Sequence, residues 1–246
     1  MDGLAVGSGR SRADDALDAG WFAASEAVAG LRGARPGLVL VYGSPHYDLA
    51  QVTRAVRDLT GDAPLIGAST GGQVCDGEYL PAGAGVAVLA LGAGRYRFGT
   101  AALPSPRHPT EAGRWLAGAA MEAAVGPDDR PAHGALLLMS AGVRALLSEL
   151  VSGAHAGAGP GVPVLAGMAA GEPGSAVVLA DGEVIDDGVV AVYIASDEPL
   201  RVVAPDGQAE GGLPGLVATD GSDVHELSAY GLGVADGDAP GSALAL

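Results

Sequence analysis

Hydroxyl and amide groups cluster directly after a short apolar stretch of the chain. Residues 64–68 read Pro-Leu-Ile-Gly-Ala and predict a buried strand, and residues 69–73 read Ser-Thr-Gly-Gly-Gln. Small residues at a strand end let a ligand or another backbone approach closely. In α/β sheets, ligands bind at the carboxyl ends of strands. This segment therefore predicts a hydrogen-bonding site for a small polar molecule, although a tight turn demands the same residue types.

The same pattern returns later in the chain. Residues 163–172 read Pro-Val-Leu-Ala-Gly-Met-Ala-Ala-Gly-Glu, so that Pro163 matches Pro64 and Gly171 matches Gly72. An apolar run precedes each copy, and an Asp-Gly-Glu triplet follows each. Self-similarity over a long offset predicts two related halves. Two halves that each offer a glycine-rich strand end are expected to share one cleft, because such junctions are common pocket sites.

A nucleophile with a general base is the alternative chemistry. His46 with Ser69 or Cys75 is the combination that the sequence offers. Ser69 lacks the Gly-x-Ser-x-Gly elbow, and no acid is placed to orient His46. We therefore expect no catalytic residue, with a Ser69- and His46-dependent hydrolase as the rival reading. The acidic turns match no calcium loop, so we expect neither a metal site nor a cofactor.

Composition narrows the class of partner. The chain has 246 residues, 48% of them hydrophobic, and a formal net charge of −16. Nucleic acids and anionic membranes attract clustered cations, so neither is expected as a partner. The sequence contains no lysine, which excludes a Schiff-base or P-loop lysine. A single cysteine excludes an intrachain disulfide, and no signal peptide or membrane span is evident, so we expect a soluble, cytoplasmic protein.

The periodicity predicts an α/β protein. We expect two pseudo-repeated halves with mixed, partly parallel β-sheets flanked by helices, at 1–103 and 104–205. A short irregular extension follows at 206–246. Its last part, 236–246, is expected to be disordered because it carries few large apolar residues.

Local signals predict individual elements. A single helix at 48–60 separates the apolar runs 38–43 and 64–68, which makes a βαβ crossover and hence parallel strands. Strands at 85–91 and 95–102, joined by Gly-Ala-Gly, are expected to form a hairpin.

Turn and cap residues add further boundaries. Asp181-Gly182 predicts the turn of a hairpin over 177–185. Ser11 and Thr110 are expected to cap helices. The first helix is expected to bury one face, formed by Leu17, Trp21, Ala24, Val28 and Leu31.

Four segments together carry a resemblance to a known family. They are the Gly-Ser near residue 7 with the acidic pair at 14–15, the apolar strand and Ser-x-x-aromatic-Asp at 38–48, the segment 64–73, and the segment 163–195. Over residues 3–205 the chain resembles the FIST N-terminal domain, a sensory module of bacterial and archaeal signal-transduction proteins. Gln73 stands where that family usually has glutamate, and Glu172 stands where it usually has aspartate.

The resemblance implies a non-catalytic sensor. It implies that a small polar ligand, with amino acids among the candidates, binds in a cleft between the halves. The signal would pass to an output protein or domain. A degenerate module that only mediates protein contacts is the other alternative. The candidate ligand-binding residues are Ser8, Ser44, Tyr47, Ser69, Thr70, Gly71, Gly72, Gln73, Gly167, Ala169 and Gly171.

Overall fold

The computed structural model describes residues 4–81, 83, 85–126, 132–142, 147–171, 174–200, 215–220 and 223–229. They fall in two units, Met1–Val202 and Val203–Leu246. The described helices are α1 (Ala16–Gly30), α2 (Leu49–Thr60), α3 (Pro109–Val125) and α4 (Leu147–Ala158). None of these helices is both long and apolar enough to cross a membrane.

The strands of the first unit follow in chain order. They are β1 (Val6–Ser11), β2 (Pro36–Gly43), β3 (Leu65–Ser69), β4 (Gln73–Cys75), β5 (Glu78–Leu80), β6 (Val86–Gly92), β7 (Arg97–Pro104), β8 (His133–Ala141), β9 (Val164–Met168), β10 (Val178–Ala180), β11 (Glu183–Ile185) and β12 (Gly188–Ser196). In the second unit, β13 (Gly215–Asp220) and β14 (Asp223–Ala229) pair as an antiparallel hairpin. The tail 236–246 lies outside the described residues.

Two mixed sheets confirm the α/β class. One has the order β1-β6-β2-β3-β10-β11, and the other has the order β7-β12-β8-β9. The pairs β2–β3 and β8–β9 are parallel, and the other pairs of these sheets are antiparallel. The crossover from β2 through α2 to β3 is the one that the sequence predicts, since a single helix between two strands forces them parallel.

The core has three apolar layers because each central strand is buried on both faces. Val39 and Val41 of β2 face the helices α1 and α2, whereas Leu38 and Leu40 face the other sheet. The second sheet repeats this alternation, with one face toward α3 and α4. A continuous apolar run is the pattern for such a strand. The two sheets therefore pack face to face, with two helices on each outer side.

Strand order and hydrogen bonding correspond between the two sheets. β1-β6-β2-β3 and β7-β12-β8-β9 share the same sequence of antiparallel, antiparallel and parallel pairs. The amide of Thr70 donates to the carbonyl of Gly43 at 2.9 Å, and the amide of Ala169 donates to the carbonyl of Ser140 at 2.8 Å. These features support the expected duplication, which stays a prediction to be tested by superposing the halves. β7, which lies almost wholly within the predicted first half, belongs to the second sheet, and the boundary between 103 and 104 stays a prediction.

Close helix packing depends on a glycine in each helical layer. A Cβ added to Gly20 of α1 would lie 2.6 Å from the carbonyl oxygen of Val52 in α2. A Cβ added to Gly113 of α3 would overlap the carbonyl oxygen of Leu150 in α4. Backbones this close leave no room for a side chain, so glycine is required at both crossings.

The predicted hairpin of 85–91 with 95–102 is wrong. β6 pairs with β1 and β2 in the first sheet, while β7 pairs with β12 in the second. Two apolar runs joined by a short glycine-rich link satisfy a hairpin pattern locally. Here the link carries the chain from one sheet to the other. The hairpin of β10 with β11 is confirmed, with Asp181 at φ 49° and Gly182 at φ 97° in its turn.

Both predicted caps are also wrong. Asp15 caps α1, because its carboxylate accepts from the amides of Leu17 and Asp18 at 2.9 and 3.0 Å. α3 begins at Pro109 with His108 at the N-cap position, since proline fixes a helical φ and needs no amide partner at a first helical position.

The predicted buried face of α1 is only partly correct. Leu31 and Ala24 are buried, but Trp21 is 46% exposed. The contact face is made mainly of small residues, because a Cβ on Gly7 of β1 would overlap the carbonyl oxygen of Ala27. A helix this close to the strand excludes a large side chain from the contact, so the indole turns outward.

Candidate functional site

The ends of β2 and β3 bring polar groups to one sheet edge. Gly43 lies opposite Ser69 in the parallel register, so the residues that follow, Ser44 and Thr70, leave the sheet side by side. We call Tyr42, Ser44, His46, Thr70 and Gln73 the strand-end cluster. Parallel strands that end together create the kind of edge at which α/β proteins bind ligands.

A backbone hydrogen bond joins this edge to the other sheet. The amide of Ala170, just past β9, donates to the carbonyl oxygen of Ser69 at 2.9 Å. Among the described residues, a Cβ on Gly71 would meet only Ala170 Cβ, at 3.8 Å, and Gly71 itself is exposed. The glycine-rich strand end of the first half and its counterpart in the second therefore meet, with open space beside Gly71.

The side chain and the amide of Ser69 both form hydrogen bonds within the sheet. Ser69 is fully buried, and its Oγ accepts from the amide of Val177 at 2.9 Å. Its own amide donates to the carbonyl of Val177, also at 2.9 Å. These bonds attach the segment before β10 to the end of β3. The hydroxyl oxygen is enclosed, so this geometry does not support an attack by Ser69 on a substrate.

Gln73 carries an unsatisfied polar atom in the strand-end cluster. Its side chain is 5% exposed, and its Nε2 donates to Thr70 Oγ1 at 2.7 Å. Its Oε1 is buried and has no hydrogen-bond partner among the residues that the structure describes. Buried acceptors are normally paired, because an unpaired one keeps the full cost of losing water. Gln73 is thus the residue of the cluster with unused hydrogen-bonding capacity.

Ser44 and His46 form the other arm of the cluster. Ser44 is fully buried, and its Oγ lies 3.3 Å from Nδ1 of His46 and also 3.3 Å from the His46 amide. The amide of Ser44 donates to the carbonyl of Gly85 at 2.9 Å. This serine fixes the loop after β2, and the imidazole of His46 lies close to Gly83.

Tyr42 is the member of the cluster that sequence reasoning missed. It lies opposite Ala87 and Ala68 on the face of the sheet that packs toward the second sheet. Burial raises the pKa of its phenol, because the charged form would lose its hydration. A hydroxyl-bearing aromatic in an otherwise aliphatic strand was the available signal.

The family comparison covers the strand-end cluster and both glycine-rich segments. The FIST N domain model matches residues 37–227, which is most of the chain. The chain belongs to the FIST N domain family. That family is a sensory one in signal transduction, as the sequence resemblance implied. No curated protein matches the chain.

The β4–β5 hairpin of this FIST N domain is held to β1 by charges. Arg10 Nη2 lies 2.6 Å from Glu78 Oε2, and Arg12 Nη2 lies 3.1 Å from Glu78 Oε1. Ser8 Oγ donates to Asp76 Oδ1 at 2.6 Å. Ser8, a predicted ligand-binding residue, therefore belongs to this hairpin anchor.

Cys75 of the same hairpin is buried beside Leu80 and Ala87. Burial and the carboxylate of Asp76 raise the pKa of its thiol. The thiol therefore stays protonated at neutral pH, and a protonated thiol is a poor nucleophile. Cys75 therefore serves to pack the hairpin and not as a nucleophile.

The remaining predicted ligand-binding residues lie in several different parts of the first unit. The Tyr47 hydroxyl donates to the carbonyl of Ala13 at 2.8 Å, which ties the loop after β2 to the start of α1. Gly72 faces Tyr79, since an added Cβ would lie 2.9 Å from that hydroxyl oxygen. Ala169 is buried between the sheets, while Gly167 is exposed in β9.

Gly171 packs against the loop before β10, where an added Cβ would lie 2.6 Å from Ser175 Oγ. Glu172 lies outside the described residues. Among the described residues, no group of three His, Cys, Asp or Glu side chains is arranged to hold a metal ion.

Proposed function

We propose that this FIST N domain is a non-catalytic, cytoplasmic sensory module. It binds a small polar ligand, with amino acids among the candidates, at the strand-end cluster and signals to an output protein or domain. The hydrogen bond between Ser69 and Ala170 carries this proposal. It makes the ligand-facing loop of one sheet a direct neighbour of the corresponding loop of the other.

The mechanism is differential binding. A ligand beside Gly71 contacts residues 70–73 and, across the Ser69–Ala170 bond, the segment after β9. If the ligand binds one arrangement of these two segments more tightly, it shifts the population toward that arrangement. The partner then reads the shift without any covalent chemistry.

Thermal unfolding tests the proposal. We expect at least one standard amino acid or small carboxylate to raise the unfolding midpoint in a concentration-dependent way, since a ligand of the native state stabilises it by mass action. The control is the same screen on a G71V variant, which fills the space beside Ala170. If no compound of the panel raises the unfolding midpoint, the proposal is wrong.

A protein-interaction module is the second candidate, and the β4–β5 hairpin favours it. Val74 and Tyr79 lie opposite each other and are 74% and 60% exposed. An exposed apolar pair on a hairpin suits a protein contact. A V74S variant that loses partner binding while ligand stabilisation stays unchanged would assign the output surface to this hairpin.

A further inference from the structure

We propose that Gln73 Oε1 accepts a hydrogen bond from the ligand, and that the ligand presents an uncharged N–H or O–H donor such as a primary carboxamide. This inference rests on the proposed function and names the chemical class of its ligand. It also assigns Gln73 as the residue that selects that class.

The first step is the hydrogen-bonding state of Gln73. Nε2 is engaged with Thr70 Oγ1 at 2.7 Å, which fixes the plane of the amide and leaves Oε1 pointing away from Thr70. Within the described part of the chain, Oε1 is buried without a hydrogen-bond partner. An amide oxygen has two lone pairs, so it is a strong acceptor that only a donor can satisfy.

The second step is the room around Oε1. A Cβ built on Gly85 would lie 3.1 Å from Oε1 and 2.5 Å from Leu80 Cδ2. Gly85 thus keeps side-chain atoms away from the oxygen. Gly71, two residues before Gln73 in the same loop, is exposed. A ligand that binds beside Gly71 contacts the loop that carries the amide.

The charges around Gln73 favour a neutral donor over an ammonium group. None of the five residues of the strand-end cluster is acidic. The nearby hairpin charges are paired among themselves, with Arg10 and Arg12 on Glu78. An ammonium group brought to Gln73 would lose its water without gaining a carboxylate, which is costly. A neutral donor has no charge to desolvate, so the cluster favours a neutral donor over an ammonium group.

The experiment uses the side-chain amide signals of the full chain. The sequence contains three glutamines, at 51, 73 and 208, and no asparagine, so ¹⁵N–¹H spectra hold few side-chain amide pairs. The probes are propionamide, N,N-dimethylpropionamide, which lacks the N–H donors, and propylammonium. Gln51 is the internal control, because its Nε2 is already bonded to Asp48 Oδ2 at 2.8 Å on an exposed helix start.

We expect propionamide to shift the Gln73 signals saturably and leave those of Gln51 in place. The dimethyl analogue and propylammonium are each expected to bind about tenfold more weakly, since one hydrogen bond is lost or one charge is left unpaired. The variant Q73M keeps the length of the side chain, removes the acceptor and should abolish the preference. Q51M is the matched control and should bind as the wild type does.

A second variant tests the charge argument. Q73E places a carboxylate at the same position, so propylammonium should then bind more tightly than propionamide. The inference is wrong if the wild type binds propionamide and its dimethyl analogue with equal affinity. It is also wrong if no probe shifts the Gln73 signals. If a standard amino acid raises the unfolding midpoint while the Gln73 signals stay unshifted, the proposed function stands and this inference is wrong.

Discussion

The amide of Val177 donates to Oγ of Ser69 at 2.9 Å, and the amide of Ser69 donates back to the carbonyl of Val177 at the same distance. This reciprocal pair attaches β10, which comes late in the chain, to β3, which comes early. Through it a hairpin from the predicted second half completes the sheet of the first. Ser69 is thus a structural joint at the border of the strand-end cluster.

Replacing Ser69 by alanine tests this joint. The buried amide of Val177 would lose its side-chain acceptor, so S69A should lower the free energy of unfolding by about 1–3 kcal/mol, measured by urea denaturation. S8A is the control, because the Ser8 hydroxyl makes a more exposed bond to Asp76 and its loss should cost well under half as much. An S69A chain as stable as the wild type would contradict the structural role.

The helix crossings give a second test. G113A would press a methyl group into the carbonyl of Leu150, and G20A would press one into that of Val52. Overpacking against backbone should cost about 1–3 kcal/mol or more at each crossing, with G113A the larger. Gly118 of α3 has nothing within 4 Å of an added Cβ, so G118A should instead stabilise by about 0.5–1 kcal/mol. Equal effects at 113 and 118 would contradict the close approach.

The space beside Gly71 gives a third test. Of the residues that the structure describes, an added Cβ there meets only Ala170 Cβ, so G71V should change the free energy of unfolding of the ligand-free protein by less than about 1 kcal/mol. The same change should remove the stabilisation by any amino acid that stabilises the wild type. Gly94 has nothing within 4 Å of its added Cβ, and G94V should keep the ligand response. A G71V chain that responds fully would place the ligand elsewhere.

Asp48 gives a pH test at the start of α2. Hydrogen bonds from the side chain and amide of Gln51 lower the pKa of its carboxyl below the usual 3.8. A group whose pKa is lowered by folding stabilises the protein above its unfolded pKa, and that stabilisation disappears as the pH falls through the folded value. The contribution of Asp48 should therefore be complete at neutral pH and vanish in strong acid.

The variant D48N separates the cap from its charge. Asparagine caps helices as well as aspartate does, so D48N should keep the neutral-pH melting temperature close to that of the wild type. It should also lose less stability than the wild type between pH 5 and strong acid, roughly the range in which a carboxylate of this kind titrates. Identical acid profiles of the two proteins would contradict this contribution of Asp48.

Several features of the fold could be predicted because they depend on neighbours in the sequence. The run 38–43 is apolar throughout, which indicates burial on both faces, and one helix before the next strand forces parallel pairing. Asp181-Gly182 predicts its turn because both positions adopt positive φ, which these residue types tolerate. Ser44, Thr70 and Gln73 of the strand-end cluster were also predicted to bind a ligand, and that role stays a prediction.

Other features depended on which surfaces meet in three dimensions. Trp21 has helical spacing typical of a buried face, yet glycine in β1 lets α1 lie so close that small residues such as Ala27 and Gly30 form the contact. β6 and β7 are joined by a short glycine-rich link, as the strands of a hairpin are, but each finds its partners in a different sheet. Local pattern cannot distinguish these outcomes, because the competing contacts come from residues far along the chain.

By itself the sequence determined the α/β class, the crossover through α2, the Asp181-Gly182 turn and the family. Each depends on periodicity, turn chemistry or motif, which act over a few neighbouring residues. The tertiary structure alone decided that Ser69 is enclosed by Val177, that Ala170 reaches the end of β3, and that Gln73 Oε1 is buried with no partner in the described ranges. Burial and pairing of a polar atom are properties of everything packed around it, so they arise only when distant segments come together.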